Sequence, residues 1–211
     1  MLVTDDRLVR GRDLVALARQ ATAGGVTSIQ LRLKQASPRE LVALARALVD
    51  GVTVPVLVND RPDVAIAAGA AGVHLGSDDL PVARARELAP PGFVIGASVG
   101  SAEEAAGAQV ADYWGIGPWR VTTTKTDAGE GLGADGFARL VRLAGSRPCL
   151  AIGAVRPEDA LLIRAAGGAG VAVASGLLAG SDVRAAAAAY AAQWTVATAA
   201  SKSQRPARPA S

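Results

Sequence analysis

The sequence predicts an α/β fold in one domain, a (β/α)₈ TIM barrel, and three observations carry that prediction. Eight short apolar runs alternate with Ala/Leu-rich amphipathic stretches along the 211 residues. Half of the residues are hydrophobic but only 3% are aromatic, which suits buried parallel strands of Val, Ile and Leu under Ala-rich helices. Polar residues gather where each run ends rather than where it begins. An open doubly wound sheet would give the same alternation; the count of runs and the one-sided polar ends favour closure.

In chain order, the runs are LVT (2–4), SIQLRL (28–33), VPVLVN (54–59), GVHL (72–75), FVIGAS (93–98), DYWGIG (112–117), CLAIGA (149–154) and GVAVAS (170–175). Between them, RDLVALARQATAGG, SPRELVALARALVD, SDDLPVARARELA, SAEEAAGAQVA and RPEDALLIRAAGGA have helical spacing. Several open on Ser or Asp with acids following and several close on Gly, as helix termini require. Asp63 and Asp78 are expected as helix caps, with Asp78 able to exchange roles with Asp79. The barrel is expected over residues 1–197. Residues 198–211, rich in Ala, Ser and Pro and basic, are expected to be a disordered tail.

Charge excludes one class of function. The chain has a net charge of +3 and a pI near 9.5, yet Lys202, Arg205 and Arg208 lie in the last twelve residues, which hold no acid. Removing those three from the 22 basic residues leaves 19, equal to the 19 acidic ones. A neutral body with few aromatics argues against a nucleic-acid partner. No long apolar span and no signal-peptide pattern appear, so a cytoplasmic protein with no membrane partner is expected. The single Cys149 excludes an internal disulfide and is expected to be a buried structural thiol.

In a barrel the strand ends converge on one face, where active sites form. Period-2 alternation puts Gln30, Arg32 and Lys34 on one side of their strand. Two cations facing a barrel interior call for an anion such as a pyrophosphate, or for a salt bridge to Asp60 or Asp79. Asp60 and Asp79, at neighbouring strand ends beside Asn59 and Asp78, suit Mg²⁺, which takes one or two carboxylates and completes its shell with water and phosphate oxygens. The nearby cations are expected to keep both carboxylates ionised. GPWRVTTTKT (117–126) offers the hydroxyls of Thr122, Thr123, Thr124 and Thr126 and the ammonium of Lys125, a set suited to phosphate. The small residues Gly153, Ala154, Ala174, Ser175 and Gly176 end the last two runs, where barrels bind phosphate through backbone N–H groups. His74 is expected to be packed and hydrogen-bonded, without a catalytic role. Trp114 and Trp119 are expected in the core.

QLRLK, LVND, GVHLGSDD, IGASV, ADYWGIGPWRVTTTK, AIGAV and GVAVASG, in this order and spacing, resemble the thiamine phosphate synthase family over nearly the whole chain. The resemblance implies a transferase that joins hydroxymethylpyrimidine diphosphate to a thiazole phosphate with Mg²⁺. It implies that Gln30, Arg32, Lys34, Asn59 and Lys125 hold the diphosphate, with Arg32, Lys34 and Lys125 catalytic, and that Ser98 touches the pyrimidine. Asp60 and Asp79 would bind Mg²⁺; Thr122, Thr124 and the backbone of Ala154, Ala174 and Ser175 would hold the thiazole phosphate. A homo-oligomer is compatible with this reading. Three positions depart from the family pattern: Ser77 in place of Gln, Gly153-Ala154 in place of Gly-Gly, and Arg120-Val121 ahead of the threonines. A thiazole tautomerase-like paralogue and a non-catalytic phosphate-binding barrel are the alternatives. The former calls for a His shortly after the fifth run, where this chain reads ASVGSAEEA.

Overall fold

The computed structural model describes residues 1–121 and 131–203, with side chains through residue 198; Thr122, Thr124 and Lys125 lie outside the described residues. Eight strands form one sheet: β1 (Leu2–Val3), β2 (Ile29–Leu31), β3 (Val56–Asn59), β4 (Gly72–Leu75), β5 (Val94–Val99), β6 (Tyr113–Ile116), β7 (Cys149–Ile152) and β8 (Gly170–Ala172). Each pairs in parallel with the next in sequence. A bridge between Leu2 and Val173 closes the sheet: Val3 N–H donates to Val173 O at 2.9 Å and Val173 N–H to Met1 O at 3.0 Å. The predicted barrel is therefore the fold, and the open sheet is excluded.

The helices are α1 (Leu14–Ala23), α2 (Pro38–Gly51), α3 (Pro62–Ala68), α4 (Val82–Leu88), α5 (Ala102–Gly107), α6 (Gly133–Ala144), α7 (Ala160–Ala165), α8 (Ser175–Leu178) and α9 (Val183–Ser203). A 3-10 turn, Pro157–Asp159, leads into α7. Capping chemistry sets several starts. Asp13 accepts from Ala16 N–H ahead of α1, Ser37 and Glu40 form a reciprocal capping box on α2, and Ser101 accepts from Glu104 N–H ahead of α5; each is worth about 1 kcal/mol.

Three local expectations are corrected. Asp78 caps no helix: a residue that precedes proline disfavours helical backbone, so Leu80 stays outside and α4 begins only after Pro81. Asp63 lies inside the first turn of α3, where it pairs with Arg61 rather than capping. The Ala-rich run from Val183 keeps helical propensity past the expected tail boundary at 198, and α9 reaches Ser203.

Strand alternation divides the apolar residues into two layers. Leu2, Ile29, Leu31, Val56, Val58, Val73, Leu75, Ile95, Trp114, Ile116 and Ala151 point outward against the helices and form the main core. Burial of each Leu, Ile or Val there stabilises by about 1.5–3 kcal/mol relative to exposure. Trp119 is also buried, edge-on to Phe137 at 5.8 Å between centroids, and Cys149 is buried with its thiol pushed up to about 11 by desolvation. The inward layer mixes apolar residues such as Val3 and Leu57 with polar ones: Gln30 and His74 are buried, and Tyr113 reaches across from β6 to β4. Gly96 makes room for Tyr113, since a Cβ there would lie 2.2 Å from its ring.

Candidate active site

The carboxyl ends of all eight strands line one cavity of about 560 Å³. Gln30 reaches it from within β2 and Asn59 from the end of β3, and Arg32, Lys34 and Asp60 from just beyond those strands. Asp79 arrives on the loop after β4, Ser98 from β5, Ala154 from the loop after β7, and Ala174 and Ser175 at the start of α8. Every predicted site residue within the described chain is thus on one rim. Whether Thr122, Thr124 and Lys125 join them lies outside the described residues.

The cations have partners the sequence reading did not name. Arg32 pairs with Asp5 at 3.5 Å, and its backbone N–H donates to Thr4 Oγ1 at 2.7 Å. Asp6 accepts from the N–H groups of Lys34 and Gln35 at 2.9 and 3.1 Å. The expected salt bridge to Asp60 exists only as a long Lys34–Asp60 contact of 4.0 Å. Asp5 and Asp6 follow the first apolar run, so the strand-end rule pointed at them too; their neighbours in space were not visible from spacing.

The carboxylate pair is less strongly held by the cations than expected. Asp60 is pushed up to about 6, first by desolvation, then by a hydrogen bond with Asp79 and by its negative charge; Lys34 and Arg32 act the other way and do not compensate. Arg32 pairs with Asp5 and Lys34 stays 4.0 Å from Asp60, so the cations offset only part of the upward shift, and with its value at about 6 Asp60 is still mostly ionised at pH 7. Asp79 Oδ2 accepts from Gly76 N–H at 2.7 Å, and Asp60, with φ +64°, is turned toward it by an unusual left-handed backbone that Asp tolerates better than most residues. Two adjacent carboxylates favour a shared proton or a cation between them. Among the described residues no group of three or more His, Cys, Asp and Glu forms a metal cage. A two-carboxylate site fits Mg²⁺, whose remaining positions go to water and phosphate.

His74 is packed, as expected, but it also borders the cavity. Its Nδ1 lies 2.9 Å from Tyr113 Oη and its Nε2 3.0 Å from Ser98 Oγ. Burial lowers its pKa to about 4, so the ring is neutral at pH 7. It orients the Ser98 hydroxyl, which the sequence reading had treated alone. On the far side of the rim, Ala154 has φ +50° and Gly153 φ +93°. The Gly-Gly departure therefore falls on a position that does demand positive φ. The Arg120 departure lies beside it: Arg120 forms a two-pronged pair with the buried Asp159.

Comparison with known proteins agrees with this geometry. A family model described as thiamine monophosphate synthase matches residues 1–177. Thiamine-phosphate synthase of Azorhizobium caulinodans is 47% identical over 187 residues, covering 86% of this chain and 88% of the relative. That of Methanoculleus marisnigri is 48% identical over 191 residues, covering 88% and 90%. The solved thiamine phosphate pyrophosphorylase of Pyrococcus furiosus superposes with a TM-score of 0.81 at 34% identity, covering 93% of this chain and 95% of that one. A rim of cations, paired carboxylates and backbone donors on a barrel matched over most of its length places this chain in the thiamine monophosphate synthase family.

Proposed function

We propose that this protein joins hydroxymethylpyrimidine diphosphate to a thiazole phosphate, giving thiamine phosphate and pyrophosphate, in the cytoplasm. One observation carries the reading: a single cavity holds cations and paired carboxylates on the β2–β4 side and exposed backbone donors at the ends of β7 and β8. That arrangement suits two phosphorylated small molecules held side by side. Among the described residues no helix is long and apolar enough to cross a membrane.

In this reading the C–O bond between the pyrimidine methylene and the diphosphate breaks, and the diphosphate keeps the electron pair. Arg32, Lys34 and Lys125 neutralise the charge that develops there, and Gln30 and Asn59 orient the leaving oxygens. The thiazole nitrogen then donates its lone pair to the methylene carbon, forming the C–N bond. No protein nucleophile is required. Ser98, held by the neutral His74, positions the pyrimidine, while Thr122, Thr124 and the N–H groups of Ala154, Ala174 and Ser175 hold the thiazole phosphate. Asp60 and Asp79 would hold Mg²⁺, which when bound would supply further positive charge to the diphosphate oxygens.

The tautomerase alternative lacks its base, because the chain's single histidine is His74 within β4. The deciding experiment is incubation of the purified protein with both substrates and Mg²⁺, with and without EDTA. Thiamine phosphate formed only in the first arm is expected; no product with Mg²⁺ present would overturn the assignment.

A further inference from the structure

The loop after β7 holds an energetically unfavourable conformation, and one side chain outside the cavity lining holds it there. Ala154 has φ +50°, in the left-handed region that costs an L-residue with a Cβ free energy. Its neighbour Gly153, at φ +93°, lies against Pro118 so closely that an added Cβ would be 2.8 Å from Pro118 Cα, so that position requires glycine. Left alone, the loop would be expected to leave this state.

The chain segment after β6 prevents that. Trp119 N–H donates to Ile152 O at 2.7 Å and Arg120 N–H to Gly153 O at 3.1 Å, which ties the segment after β6 to the loop. The Arg120 guanidinium donates to Ala154 O at 3.1 Å and forks onto both oxygens of Asp159. Asp159 is buried, its side chain 3% exposed, and also accepts from Arg156 N–H at 2.8 Å. Three successive carbonyls of the loop, Ile152, Gly153 and Ala154, are thus bonded to Trp119 and Arg120, and the far end of the loop is anchored at Asp159. A bidentate guanidinium pair has fixed geometry as well as charge.

We infer that Arg120 is a positioning residue: by clamping Ala154 O and Asp159 it holds residues 153–155 in the conformation that aims the Ala154 N–H at the phosphate of the thiazole substrate. The inference rests on the proposed function for the identity of that phosphate. Arg120 itself does not line the cavity. A loop freed from the clamp would spend most of its time relaxed, and apparent affinity falls by the fraction that remains competent. A left-handed residue with a Cβ is disfavoured enough that this fraction drops about tenfold.

The test uses the double variant Arg120→Met/Asp159→Asn, because removing Arg120 alone would strand a buried charge and endanger folding. The KM for the thiazole phosphate is expected to rise about tenfold, with kcat and the KM for the pyrimidine diphosphate within about twofold, a split that general destabilisation does not produce. Amide exchange at Trp119 and Arg120, read by NMR without substrate, is expected to accelerate by a similar factor. Adding Ala154→Gly, which accepts φ +50° without a clamp, is expected to bring the thiazole phosphate KM most of the way back. Equal rises in both KM values, unchanged KM with unchanged exchange, or no rescue by glycine would each overturn the clamp. Faster exchange in a protein whose wild type makes no thiamine phosphate would remove the phosphate role along with the functional reading, while leaving Arg120 as the organiser of the loop.

Discussion

Replacing Asp60 by Asn should make the metal-free protein more stable and much less active. Asp60 titrates near 6 in the folded chain against an ordinary aspartate value of 3.8, chiefly through desolvation and the adjacent Asp79. Between those two pH values the folded protein keeps a proton that the unfolded chain has released. Stability from this group is therefore present below pH 3.8 and lost as pH rises through about 6. At about 1.4 kcal/mol per pH unit the ceiling is about 3 kcal/mol. The side chain is 29% exposed and its proton is shared with Asp79, so about 1–3 kcal/mol is the working range. For a chain of this size that corresponds to about 2–10 °C in Tm. Asn removes the charge, keeps a group that can hydrogen-bond Asp79, and tolerates the left-handed backbone at this position at least as well. The assay is thermal melting from pH 4 to 8 in EDTA, repeated with Mg²⁺. Wild type should lose Tm relative to the variant between pH 4 and 6, and Mg²⁺ should raise only the wild-type value. Turnover of the variant should fall by on the order of 10²-fold or more, since charge stabilisation worth several kcal/mol is lost. A variant that melts at or below wild type at pH 8 without metal, with the same pH profile, would refute the like-charge argument.

Other outcomes follow from the same geometry. Arg32→Ala should depress kcat by on the order of 10²-fold and also free Asp5, whose partner it is; steady-state kinetics beside a melting curve separates the two effects. Gly96→Ala should cost about 1–3 kcal/mol by overpacking, because its Cβ would collide with the Tyr113 ring; urea unfolding would show an unchanged midpoint if the ring can move aside. Cys149, buried with its thiol near 11, should react with a thiol reagent at pH 8 only on unfolding; rapid labelling of the native protein would contradict the packing described.

Periodicity and punctuation made most of this fold legible. Repeated apolar runs of strand length, separated by capped helical stretches, can close their hydrogen bonds and bury both faces of the sheet in few ways, and the barrel is one of them. Strand-end polarity then located the rim, because a charged residue such as Arg32 or Asp60 is tolerated only where the barrel opens. Spacing failed where the deciding partner is distant in sequence. Asp5 took the Arg32 contact that had been expected of Asp60 or Asp79, and the hydrogen bonds that hold the packed His74 go to Tyr113, 39 residues away, and to Ser98 at the site. Local rules also lost to local sterics at Pro81, which delayed α4 and left Asp78 on the cavity.

By itself, then, the order of residues determined the barrel, the rim and the chemical kinds of group on it, since these depend on hydrophobic period and on which end of a strand a polar side chain follows. Protonation and strain were decided only in three dimensions. Asp60 holds its proton to about pH 6 because folding sets Asp79 beside it out of water, and Ala154 keeps a left-handed backbone because Arg120, 34 residues earlier, reaches its carbonyl. Both effects are differences in free energy between groups that meet only when the strands close, so no window along the chain contains them.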